Sequence, residues 1–267
     1  LEWLRARNLI EEEALTIPDN VEIVVTGRTS AKQKFKMPEE VSQRPFEKWP
    51  KPIRQYILDR KIDIYQVDRW KLGYSVDGRL GGRIVFPIED ENGILASYTA
   101  RSFDGKEPRY TTPQPSENPD PTVLFGERYW PSVQERKLST VVLTEGAINA
   151  LACERAGAMY VAALGGSPLS PLDVGRDKPA RASDGALAAV LKLAGWGRVL
   201  VATDPDRAGE KVSMAIRALA RWTDMRRVTF PEGTDAADLP LHDLRELLRE
   251  VSKNTLTNDY SVATTEA

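Results

Sequence analysis

The sequence predicts an α/β protein: a mostly parallel sheet wrapped by helices in the second half, preceded by a smaller α+β unit. From Ser139 onward, short runs rich in Val, Ala and Leu alternate with helical stretches, the texture of strands buried on both faces. Three of those runs lead into acids, at Glu145, at Asp204 and Asp206, and at Asp235. Upstream, Arg83 to Ile88 and Ile94 to Ala100 flank a Glu-Asp-Glu-Asn-Gly turn, which reads as a hairpin.

In chain order, Trp3 to Ala14 reads as a helix and Val21 to Val25 as a strand. Arg28 to Lys36 carries four positive residues, no acid, and Phe35 between them. Trp49-Pro50-Lys51-Pro52 interrupts the chain, and Ile53 to Leu58 and Ile64 to Trp70 follow as short helices. After the hairpin, Pro108 to Pro121 is too rich in proline for regular structure. Val141 to Thr144 is then a strand, and Ala147 to Ala156 a helix closed by Gly157. Tyr160 to Leu164 is a second strand, running into Gly165-Gly166. The polar loop Ser167 to Asp184 reads as a solvated connection, its Arg176, Lys178 and Arg181 included. It leads to a helix over Gly185 to Ala194. The third strand starts at Val199 and its helix covers Ala208 to Trp222. The fourth strand is Arg227 to Phe230, and Leu241 to Val251 is the last helix. The expected units are 1–138, 139–254 and a disordered tail at 255–267.

Composition narrows the chemistry. The net charge is −2 over 267 residues, so any nucleic-acid binding must come from a local basic patch. No apolar run can span a bilayer and no signal peptide is legible, which predicts a cytoplasmic protein with no membrane partner. One cysteine, Cys153, and one histidine, His242, leave no material for a disulfide framework, a Cys-rich zinc site or a Ser-His-Asp triad. Carboxylates, lysines, arginines and a metal remain.

The acids are the candidates. In a parallel sheet the carboxyl ends of all strands open on one edge, where such sheets bind ligands. An Asp ahead of a helix is most often an ordinary cap, and Asp206 stands where a cap would. Asp204 is not needed for capping, and acids at three strand ends are more than capping requires. Gly146 lets the backbone come close to a ligand. Oxygen donors without histidine or thiolate suit Mg²⁺ or Mn²⁺, and the natural chemistry is phosphoryl or nucleotidyl transfer.

Glu145-Gly146, Asp204-Pro205-Asp206-Arg207-Ala208-Gly209 and Pro231-Glu232-Gly233-Thr234-Asp235 resemble the TOPRIM domain. Gly82 to Ile88, then Arg101, Pro108-Arg109-Tyr110 and Leu124-Phe125-Gly126, are similar to bacterial-type and phage DNA primases. The resemblance covers roughly Gly82 to Leu239. It implies a TOPRIM domain, a doubly wound and mostly parallel sheet, in which Glu145, Asp204 and Asp206 form the catalytic metal centre with Asp235 as a further acid. It also implies a basic surface for nucleotide and template carrying Arg83, Arg101, Arg109 and Tyr110. Three positions depart from the family: Arg109 replaces a lysine, Thr112 an asparagine, and Glu127 stands where another lysine is expected. No zinc module has a counterpart in the chain.

The implied function is a DNA primase core, making short RNA primers from ribonucleoside triphosphates on single-stranded DNA with Mg²⁺ or Mn²⁺. Family habit adds a replicative helicase as partner. A TOPRIM nuclease and a non-catalytic nucleic-acid adaptor are the alternatives.

Overall fold

The computed structural model describes residues 35–117, 119–164, 192–206, 209, 213, 216 and 223–253. The elements expected over 3–14 and 21–25, the basic residues of 28–34, the loop over 167–184 and the tail at 255–267 lie outside them. So do most of the helix expected over 208–222 and residues 185–191 of the helix before the third strand.

Two short α-helices precede the first sheet. α1 (Lys51–Asp59) has Pro52 in its first turn, where a missing N–H leaves no hydrogen bond unmade. α2 (Ile64–Arg69) is capped by the Asp63 carboxylate, which accepts the Gln66 N–H at 2.7 Å. The first sheet is antiparallel in the order β1 (Gly73–Ser75), β2 (Arg83–Glu89), β3 (Leu95–Ser102), β4 (Tyr110–Thr111). The expected hairpin is β2 and β3, closed by the Asp90 N–H on the Ile94 carbonyl at 2.9 Å and by Gly93 at φ 73°. β4 corrects the reading of 108–121 as wholly irregular, for Arg101 pairs with Tyr110 and Ala100 with Thr111. Two residues between prolines are too few to show a period, and β1 escaped notice for the same reason.

A one-turn helix, α3 (Val133–Arg136), leads into the second sheet, which is parallel and ordered β6 (Tyr160–Ala163), β5 (Thr140–Thr144), β7 (Arg198–Ala202), β8 (Asp224–Arg227). Both faces are covered, as continuous apolar strands require. Val141, Leu143, Val199 and Val201 pack with Trp130, Leu193, Trp196 and Ile216. Val142, Leu200 and Ala202 face the other way, onto α4 (Ala147–Arg155) and α5 (Leu241–Lys253) through Leu151, Leu244 and Leu248. The fourth strand lies earlier than expected, at 224–227 rather than 227–230. β8 is an edge strand that tolerates Asp224, Arg226 and Arg227. The apolar Val228 and Phe230 that suggested a strand instead plug the core beyond its end.

The sheets are joined through the segment that carries Phe125. Phe125 and Ala163 exchange backbone hydrogen bonds at 3.0 and 3.2 Å, so this segment pairs with the outer edge of the parallel sheet. Gly126 follows at φ 106°, and a Cβ there would stand 2.0 Å from the Val161 carbonyl oxygen. Trp70 stacks on Phe125, and both Trp70 and Gln66 donate to the Glu154 carboxylate of α4 at 2.8 Å. One apolar cluster thus runs from Phe46 and Phe86 to Leu151 and Leu248, across the position expected to divide two units.

Candidate metal and phosphate site

Glu145 follows β5, and Asp204 and Asp206 follow β7, its parallel neighbour, so the three acids share the carboxyl edge of the sheet. One oxygen of each is occupied. Glu145 Oε1 accepts the Asp204 N–H at 3.1 Å. Asp204 Oδ1 accepts from the Asn149 side-chain amide at 3.3 Å. Asp206 Oδ1 takes the Gly209 N–H at 2.7 Å, the cap expected of it. Asp235 Oδ1 takes the Ala237 and Asp238 N–H groups at 2.8 and 3.2 Å in a turn of its own. Among the described residues the second oxygen of each acid has no hydrogen-bond donor. No lysine or arginine among them forms an ion pair with these four acids.

Charge therefore accumulates. Burial, then the neighbouring Asp204 and Asp206, push the Glu145 carboxyl above the ordinary glutamate range. Burial, then Asp235 and Asp206, raise Asp204 likewise, with Arg109 and Arg101 opposing. Among the described residues no three Asp, Glu, His or Cys side chains already form a group able to hold a metal ion. The donor chemistry nevertheless fits a hard divalent cation: oxygen ligands only, one oxygen on each of four carboxylates without a donor among the described residues, and mutual repulsion that a cation would relieve.

The other sheet brings cations to this edge. Arg101, at the end of β3, is buried, with Nε donating to the Tyr56 hydroxyl at 3.0 Å and a second nitrogen to the Tyr110 hydroxyl. Among the described residues its hydrogen-bond partners are the two tyrosine hydroxyls and no acid pairs with it, and its charge reaches Asp204. Arg109 is exposed and also acts on Asp204. Tyr110 is 37% exposed, and a Cβ on Gly146 would stand 3.3 Å from its hydroxyl. Tyr110 thus lies over the Glu145-Gly146 turn, linking the two sheets at the site.

Arg83 is the correction. It was expected on a basic surface, but it is 2% exposed, with its guanidinium donating to the Gly81 and Pro108 carbonyls at 3.2 and 2.7 Å. The guanidinium folds back onto the chain on either side of the sheet's second and third strands, which the spacing of the sequence does not reveal. There its bond to the Pro108 carbonyl ties it to the segment that leads to Arg109.

Three residues were missed. Asn149 stands one helical turn after Glu145 on α4, and the i, i+4 spacing was its only signal. Gly209 brings the chain so close that a Cβ would stand 2.2 Å from the Asp204 carbonyl oxygen and 2.7 Å from Glu145 Oε1. Tyr56, on α1, had no signal at all, since only the folded chain brings it to Arg101.

Comparison with known proteins agrees with this geometry. The Toprim domain family matches residues 140–232. A DNA primase of Staphylococcus aureus strain MSSA476 is 28% identical over 122 residues, 44% of this chain and 19% of that protein. The strain COL primase is 30% identical over 120 residues, 43% of this chain and again 19% of its own length. The match therefore spans about a fifth of these relatives. Among solved structures, the Aquifex aeolicus primase, with zinc-binding and RNA polymerase domains, aligns over 75% of this chain and 56% of its own (TM-score 0.58, 19% identity). The RNA polymerase domain of Mycobacterium tuberculosis primase DnaG aligns over 76% of both chains (TM-score 0.56, 19% identity). A DnaG primase catalytic domain bound to single-stranded DNA covers 78% of this chain and 73% of its own (TM-score 0.57, 17% identity). Residues 140–232 match the Toprim domain family, and across both sheets the chain has the fold of a bacterial DNA primase catalytic core.

Proposed function

We propose that this chain is the catalytic core of a DNA primase, joining ribonucleoside triphosphates into short primers on single-stranded DNA in the bacterial or phage-host cytoplasm. The observation that carries the reading is the meeting of opposite charges at one edge. Glu145, Asp204, Asp206 and Asp235 come from the parallel sheet, and Arg101, Arg109 and Tyr110 from the antiparallel one. A nucleotidyl transfer needs both, a cation held by carboxylates and a positive wall for the polyphosphate.

Glu145, Asp204 and Asp206 would hold Mg²⁺ or Mn²⁺, with Asp235 adding charge at the rim. A bound divalent ion neutralises phosphate charge and lowers the pKa of an attacking hydroxyl. Asn149 and the Asp204 N–H keep two of these carboxylates oriented. Arg101, fixed by Tyr56 and Tyr110, directs charge at the phosphates, and Arg109 reaches them from solvent. The exposed Tyr110 ring offers a face for a base or ribose. The helicase partner of related systems belongs to the same proposal.

Incubation with labelled ribonucleotides, single-stranded DNA and Mg²⁺ or Mn²⁺ tests the reading. Template-dependent RNA that lengthens with time supports it. Shortening of the labelled template would assign the site to a nuclease. Metal-independent template binding with no product, also in the presence of a replicative helicase, would leave an adaptor.

A further inference from the structure

The edge of the parallel sheet opposite the acids carries a second concavity, of about 560 Å³. Its floor is apolar, built from Val142, Leu200 and Leu248 with Ala156, Ala158 and Met159 around them. Met159 is 76% exposed. One wall is α5, which places Arg245, Arg249 and Lys253 along the groove at intervals of four, on one helix face. Among the described residues no acid lines the groove.

Their cationic heads are largely unspent. Arg245 uses Nε on the Ala156 carbonyl at 3.1 Å, and Arg249 makes one exposed ion pair with Glu246 at 2.8 Å. Such a pair contributes little and exchanges readily. The nearby Asp224 is already held by Arg198 and Arg226, and both arginines also donate to the last carbonyls of α5. The rim is thus positive and the floor aliphatic. A nucleic acid would use the charge but finds no exposed aromatic platform here, because Tyr160 is turned onto Trp196 at 5.2 Å.

We propose that this groove is a docking site for an acidic peptide segment of a partner protein, with apolar side chains seated on the aliphatic floor and carboxylates set against Arg245, Arg249 and Lys253. Because the groove lies at the opposite sheet edge from Glu145 and Asp204, a partner held there leaves the acidic edge open. The site would tether the chain without occupying its chemistry. This inference does not depend on what reaction the acidic edge performs.

The test is selection of a random twelve-residue peptide library on the immobilised chain, followed by fluorescence anisotropy with the enriched peptides. Enriched peptides are expected to combine Asp or Glu with Leu, Ile, Phe or Met and to bind more weakly as salt rises. The double variant Arg249→Glu, Lys253→Glu, both exposed, should bind them about tenfold more weakly or worse, with an unchanged melting temperature. Met159→Glu should do the same, and a poly-glutamate peptide of equal charge should bind at least about tenfold more weakly than the enriched ones. Failure to enrich such peptides, their undiminished binding to both variants, or their displacement by oligothymidylate at equal affinity would overturn the proposal. So would a tenfold gain in affinity on removal of residues 254–267, which would make the chain's own end the occupant.

Discussion

The Glu145 carboxylate accepts the backbone N–H of Asp204 at 3.1 Å, so the acid past one strand is fixed by the chain past its neighbour. Neither acid can move without the other. The same contact brings two negative groups together in a half-buried place, which explains why both carboxyls lie above their ordinary ranges.

Replacing Gly209 tests how tight that arrangement is. Its Cβ would stand 2.2 Å from the Asp204 carbonyl and 2.7 Å from Glu145 Oε1. Gly209→Ala should lower primer synthesis at least about a hundredfold, since misplacing reacting groups by an ångström costs that much. Steady-state synthesis and circular dichroism check it, with helix content retained.

The crowded acids at this edge cost the metal-free fold stability. The folded-state pKa values of Glu145 and Asp204 are raised, by burial first and then by their acidic neighbours. A raised carboxyl favours the fold while protonated, and that contribution fades as pH climbs through the folded-state value. Asp204→Asn should therefore stabilise the metal-free chain near pH 7.5 by about 1 kcal/mol, a gain of about 2–4 °C in melting temperature. The gain should vanish below about pH 3, under the ordinary aspartate range, where the carboxyl is protonated in both states. Thermal melts in chelator across that range measure it.

Arg101 is placed by two hydroxyls. Tyr56→Phe keeps the ring against Phe103 and removes only the acceptor for Arg101 Nε, and Tyr110→Phe removes the other. Each should raise the KM for ribonucleotide about threefold to tenfold, the net worth of one ordinary hydrogen bond, with a smaller change in kcat. The double variant should approach Arg101→Gln. Equal KM values in all four proteins would remove Arg101 from the phosphate wall.

Glu127, where the family expects a lysine, meets Lys192. Its two carboxylate oxygens lie 2.8 and 2.7 Å from Lys192 Nζ, and both residues are buried. The Leu124 N–H and the Thr122 carbonyl complete the network at 2.6 and 2.7 Å. Lys192→Met should cost about 3–5 kcal/mol because it strands a buried carboxylate, and adding Glu127→Gln should recover part of that. Urea unfolding of the three proteins measures it.

Much of this site was legible because its acids lie next to apolar runs. Glu145, Asp204 and Asp206 follow buried strands directly, and parallel order then places them together without any long-range guess. The remainder depends on contacts the chain does not spell. Arg83 was misread because an exposed and a covered arginine look alike when strand order is unknown. Asn149 and Gly209 are a helical turn from acids that drew attention first. β4 is two residues long, and the pair Tyr56 and Arg101 is separated by 45 residues. The fourth strand was displaced because apolar residues at its end serve the core, whereas its own polar residues suit an edge.

The most direct test of the acidic edge as a catalytic centre is template-dependent RNA synthesis by Asp204→Asn, assayed beside the parent chain with Mg²⁺ and with Mn²⁺. A folded variant at least as stable as the parent, with synthesis reduced about a thousandfold or more under both ions, is the predicted result. Synthesis at the parent rate by that folded variant would contradict the assignment.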